Sequence, residues 1–168
     1  MRRPSASAVH EVRHGVRAGA QLLTVGAALD VSVTNLIAAS PAWVREIMFD
    51  ARRDPTWMAA VKQVEPLSAE LRPGARVRRV GRFLGRTLRW TTEVTGVSAD
   101  TLDLQIIDGP MRGTVTYHIE PEGASSRVTI RNVGHAPGFV PRWLLALAMR
   151  RSLAGDLRRL KEVAEAHA

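Results

Sequence analysis

The chain has 168 residues, 45% of them hydrophobic, which suits one domain with a sizeable core and excludes disorder for most of its length. It contains no cysteine, so a disulfide framework, a thiol nucleophile and a cysteine-based zinc site are all excluded. The net charge of +8 is carried by arginine, since Lys62 and Lys161 are the only lysines among 24 basic residues, and such a charge raises encounter rates with anionic surfaces.

Residues 1–29 read as an N-terminal extension, floppy or partly helical, and residues 30–168 as the folded domain. Arg2, Arg3, Arg13 and Arg17 precede a weakly apolar stretch from Ala18 to Leu29 that Gln21 and Thr24 interrupt, so a cleaved signal peptide is not expected. His10 and His14 stand at i and i+4 without a third ligand, and neither a metal site nor a cofactor is expected. Val31 and Val33 alternate with Ser32 and Thr34, as in a half-buried strand that continues to Ile37. Ser40 and Pro41 then form a helix start, with Val44, Ile47, Met48 and Ala51 as its buried stripe. That helix must end before Asp54, because the residue preceding Pro55 is pushed out of the helical region. Trp57 and Met58 follow on a loop or single turn and plug the end of the core.

From Val61 onward the chain reads as strand after strand: 61–66, 75–84, 86–97, 101–107, 112–120 and 126–133, separated by turn-forming Gly, Pro, Asp and Ser. Such short connections make sequential strands antiparallel, and the class is α+β. The chain closes on a long helix from Pro141 to Ala166. Its apolar stripe is Ala146, Met149, Leu153, Leu157, Leu160 and Ala164, and its ionic face carries Arg150, Arg151, Asp156, Arg158 and Arg159. The turn from Trp143 to Met149 is apolar on every side, so it is covered twice or borders something other than water.

Val31-Ser32-Val33, the segment Ile37 to Pro41 before an amphipathic helix, Asp50 to Pro55 with Trp57 and Val61, Trp90 to Val94, the Gly109 to Gly113 turn leading to Tyr117, and the terminal helix together resemble the START-like or Bet v 1-like superfamily, including the bacterial polyketide cyclase/dehydrase and lipid-transport domains. The resemblance implies a helix-grip fold. In it a seven-stranded curved antiparallel sheet wraps a long C-terminal helix, with one or two short helices after the first strand and a hydrophobic cavity between sheet and helix.

Strand alternation places the expected lining of that cavity. Val77 and Phe83 point inward from the third strand, Trp90 and Thr92 from the fourth, Leu104 and Ile106 from the fifth, Tyr117 from the sixth and Asn132 from the seventh. Trp57 before the strands, and Trp143, Met149 and Leu153 on the helix, complete the expected ligand-binding set. Strict alternation also turns Arg79 inward, where an unpaired guanidinium is too costly. It either meets a ligand anion or an inner-face carboxylate, or a bulge at Arg78-Arg79 turns it outward, which is the preferred reading.

No nucleophile elbow, zinc-protease motif, phosphate loop or dinucleotide fingerprint occurs. A binding protein is therefore preferred over an enzyme. If chemistry occurs, the resemblance implies cyclase- or dehydratase-like acid/base or template catalysis, with Tyr117, Arg79 and His135 the first residues to test. Arg76, Arg78, Arg82, Arg89, Arg127 and Arg131 fall on the outer face among Glu93, Asp103 and Glu120, an ordinary mixed-charge surface. An interaction module using that face is the weakest alternative, and nucleic acid is not an expected partner. The expected ligand is a hydrophobic small molecule: a lipid, an isoprenoid or a polyketide-like compound. Phe139, Val140 and the run from Trp143, flanked by Arg142, Arg150 and Arg151, suit a shallow contact with an anionic membrane surface. The run is too short to span a bilayer, so a cytoplasmic protein, peripheral to the membrane at most, is expected.

Overall fold

A computed structural model describes residues 28–135 and 141–167. The expected extension up to residue 27, with His10 and His14, and Phe139 and Val140 lie outside the described residues. Strand β1 (Ala28–Ile37) leads into helix α1 (Pro41–Phe49), a 3-10 turn (Ala51–Arg53) and helix α2 (Asp54–Trp57). Six strands follow: β2 (Val61–Pro66), β3 (Arg76–Phe83), β4 (Arg86–Val97), β5 (Thr101–Asp108), β6 (Arg112–Glu122) and β7 (Ser125–His135). Helix α3 (Arg142–Glu165) ends the described chain.

All seven strands join one antiparallel sheet in the order β1-β7-β6-β5-β4-β3-β2. Consecutive strands from β2 to β7 are neighbours; short turns connect all of them but β2 and β3, which residues 67–75 join. Leu84 and Gly85 both take positive φ, 48° and 78°, in the two-residue β3–β4 turn whose twist matches its flanking strands. Register shifts interrupt the β2–β3 pairing at Val61/Gln63 and the β4–β5 pairing at Thr91/Thr92 and Val94/Gly96. Each extra residue bends its strand, so the sheet curves around α3 instead of lying flat beneath it.

Ser40 caps α1 as its sequence position requires, its Oγ accepting from the Trp43 N–H. The helix stops at Phe49, but Asp54 is itself helical, with φ −48° and ψ −44°. The expectation that Pro55 would exclude this conformation is corrected. A fresh turn begins at Asp54, and Pro55 occupies its first turn, where a missing N–H costs no hydrogen bond.

Helix α3 buries Leu145, Met149, Leu153, Leu157, Leu160 and Ala164 against the concave face. Its C-terminal end is tied to the β1–α1 corner. Lys161 Nζ donates to the Leu36 carbonyl at 2.9 Å and to Glu165 at 2.7 Å, while Glu165 accepts from the Ala38 N–H at 2.7 Å. The Trp43 indole N–H donates to the Ala164 carbonyl at 3.1 Å. These bonds fix one end of the helix firmly, and its middle turns roof a space over the sheet. Among the described residues, no helix is long and apolar enough to cross a membrane.

Candidate functional site

Between α3 and strands β3 to β7 lies a cavity of about 170 Å³, an order of magnitude more than the roughly 10–15 Å³ that one water needs. Alternation along the strands supplies its floor. Phe83, Trp90, Leu104, Ile106 and Tyr117 all line it, as do Thr92 and Asn132, while Met149 and Leu153 form the roof. Arg82 and Pro110 are exposed yet border the cavity, so it reaches the surface between the β3–β4 hairpin and the β5–β6 turn. Gly81 is part of the wall because nothing larger fits. A Cβ there would stand 2.4 Å from the Ala60 carbonyl oxygen and 3.0 Å from the Trp90 ring.

The buried end of the cavity is polar. Arg79 points inward at 4% exposure and no bulge turns it, which corrects the reading preferred from sequence; the register shift falls on β2 instead. Its Nε donates to Asp54 Oδ2 at 2.6 Å and a terminal nitrogen donates to Thr92 Oγ at 2.6 Å. The partner, Asp54, is 1% exposed and comes from α2, not from the sheet. Burial raises the Asp54 carboxyl above its ordinary value, and the adjacent guanidinium pulls against that. The cavity therefore holds a closed ion pair instead of a free cation.

Asp156 is the second buried acid, and its place is not on the ionic face of the helix where sequence type puts it. It is 3% exposed and borders the cavity, with Oδ1 accepting from the Ala59 N–H at 2.9 Å. Loss of water pushes its pKa up to about 6, against the opposing pull of the Ala59 N–H and Arg159. A signal for its burial lies in the spacing, since Met149, Leu153, Asp156 and Leu160 follow one another at steps of four, three and four. Ser152 on the same helix also reaches the cavity. Tyr117 is 3% exposed, and burial holds its hydroxyl in the neutral form far above neutral pH.

Four expected site residues lie elsewhere. Trp57 is fully buried behind Tyr117, edge-on at 5.9 Å between ring centroids, and serves the core. Val77 is on the inward face but beyond Arg79, past the ion pair that ends the cavity on that side. Trp143 is 69% exposed, because it sits about 200° around the helix from the buried Leu145. His135 is an exposed residue at the end of β7 and does not border the cavity. On the convex face the arginines are largely self-neutralised: Arg76 pairs with Glu93, Arg78 with Glu65, Arg127 with Glu122 and Arg131 with Asp30, all within 2.6–2.8 Å.

A family described as polyketide cyclase / dehydrase and lipid transport matches residues 28–165. The chain belongs to this family. No curated protein matches it in sequence. Among solved structures it is similar to a START superfamily protein from Mycobacterium smegmatis, at 19% identity and TM-score 0.75, covering 83% of this chain and 99% of that one. A protein from Thermus thermophilus is similar at 22% identity and TM-score 0.73 over 83% and 99% of the two chains. The ZhuI aromatase/cyclase from Streptomyces sp. R1128 is similar at 16% identity and TM-score 0.72 over 83% and 94%. At these identities the likeness is one of fold, and the polyketide cyclase / dehydrase and lipid transport family spans both turnover and carriage.

Proposed function

We propose that the protein binds and carries a hydrophobic small molecule, of lipid, isoprenoid or polyketide-like character, in the cavity beneath α3. The single observation that carries this reading is a largely apolar hollow whose one buried cation is already consumed by Asp54 and Thr92. Native mass spectrometry of the full chain is expected to show a co-purified hydrophobic mass, or a stoichiometric adduct after incubation with a lipid extract. Val115 lines the cavity beside Tyr117, so Val115→Trp is expected to fill the space and weaken binding at least about tenfold while the circular dichroism spectrum is kept. Unchanged affinity in that variant would place the ligand elsewhere.

Collection at a membrane is part of the same proposal. Trp143, Leu144 and Leu147 are exposed on the first two turns of α3, next to Arg142, Arg150 and Arg151. Co-sedimentation with anionic vesicles, lost in Trp143→Ser, checks it. The second reading, a cyclase or dehydratase, is favoured by one feature: the Tyr117 hydroxyl and the Asp156 carboxyl border the same apolar space. Under it, Tyr117→Phe abolishes turnover of a polyketide-like substrate while the fold persists; turnover kept in that variant removes the assignment of Tyr117.

A further inference from the structure

Asp156 has a consequence for the chemistry of the occupant, one that rests on the carrier reading of the site. Its Oδ1 is engaged by the Ala59 N–H, and its other oxygen has no protein partner among the described residues. Asn132 Oδ1 is a buried acceptor without a partner that borders the cavity, and Asp54 Oδ1 in the ion pair is another; the buried donors without one, Arg45 Nε and Trp57 Nε1, belong to residues that do not border it. The hydroxyls of Tyr117 and Ser152 at the cavity each bring one donor but accept as well, so the acceptors stay in excess. Buried acceptors left without donors are costly, and an occupant that donates matches the site. The cations do not offset this excess. Arg79 is bound to Asp54 and Thr92, and Arg82 is an exposed rim residue whose charge is screened by water.

We infer that the polar end of the occupant is a hydrogen-bond donor without negative charge, a hydroxyl or an ammonium accepted by Asp156, and that carboxylate-headed lipids are discriminated against. The charged and titratable groups around Asp156 are Arg159 on its own helix and, bordering the same cavity, Tyr117 on β6, Arg79 on β3 with its partner Asp54 from α2, and Arg82 at the rim. The pair is internally neutral, Tyr117 is uncharged, and Arg159 and Arg82 are exposed and screened by water, so an ionised Asp156 leaves the interior with negative character. A second carboxylate placed there meets a like charge in a medium that screens poorly. A hydroxyl or ammonium meets an acceptor.

Displacement of Nile red from the full chain by decanol, decylamine and decanoate reads the preference directly. Near pH 8, decanol or decylamine is expected to bind at least about tenfold more tightly than decanoate, and whichever leads identifies the hydroxyl or the ammonium. Lowering the pH to about 5 protonates Asp156 and part of the decanoate, so the gap closes. Asp156→Asn keeps an acceptor for the Ala59 N–H and removes the charge. It is expected to narrow the gap at least about threefold near pH 8 and flatten its pH dependence. Decanoate binding as tightly as decanol near pH 8, or a gap unchanged in Asp156→Asn, overturns the inference and leaves carriage standing. Failure of all three compounds to displace the dye, with no co-purified mass, overturns both.

Discussion

Replacing Asp54 with alanine is expected to destabilise the protein by about 3–5 kcal/mol, because it leaves the Arg79 guanidinium buried without a counter-charge. Arginine cannot escape by deprotonating, so the whole penalty falls on the folded state. Thr92 still accepts one N–H, but a neutral hydroxyl does not balance a cation. Adding Arg79→Met to Asp54→Ala is expected to recover most of the loss, since an apolar side chain of similar length needs no partner. Urea unfolding of the single and double variants measures both values. A cost below about 1 kcal/mol for Asp54→Ala would mean that water reaches Arg79 and that the cavity end is not closed.

Stability is also expected to fall as the pH rises through the range in which Asp156 titrates, opposite to the behaviour of a salt-bridged carboxylate. The folded-state value of about 6 lies above the ordinary 3.8, so between them the folded protein holds a proton that the unfolded chain has released. The benefit is complete below about pH 4 and gone above about pH 6, where burial of the ionised group costs on the order of 3 kcal/mol. Asp156→Asn removes the charge and keeps the hydrogen bond from Ala59. Its unfolding free energy is expected to exceed that of the unmodified chain by about 2–3 kcal/mol near pH 8 and by almost nothing near pH 4. Taking the difference between the two proteins at each pH isolates Asp156 from every other titrating group.

Much of the architecture is legible in the sequence because its periodicities are clean. The strand bounds at β2 and β4 match their sequence ranges, and alternation along β5, β6 and β7 turns Leu104, Ile106, Tyr117 and Asn132 toward the cavity. Alternation describes one strand at a time, however, and the polar end of the site depends on contacts between elements. Nothing local to Asp54 marks it as the partner of Arg79, since they meet only when α2 folds against the sheet. The sequence shows the cost of turning Arg79 inward and hides the counter-charge that offsets it. Asp156 escapes notice for a different reason: a carboxylate in the middle of an apolar heptad is grouped with its ionic neighbours by type instead of by angle. Its place at the start of an all-apolar turn points Trp143 toward the cavity, but angle decides its position as well, and it faces away from Leu145.

The strand order also sets a timetable for assembly. Of the seven strands β1 is made first, yet among the described residues it pairs only with β7, through contacts such as Thr34 to Thr129 and Asp30 to Arg131, which are 95 and 101 residues apart. The clasp from α3 onto the β1–α1 corner spans 125 and 127 residues. During synthesis β1 must therefore wait for this strand partner and for the clasp until β7 and α3 have left the ribosome. Topologies dominated by such distant contacts fold slowly, so the hollow is among the last features of the molecule to come into being.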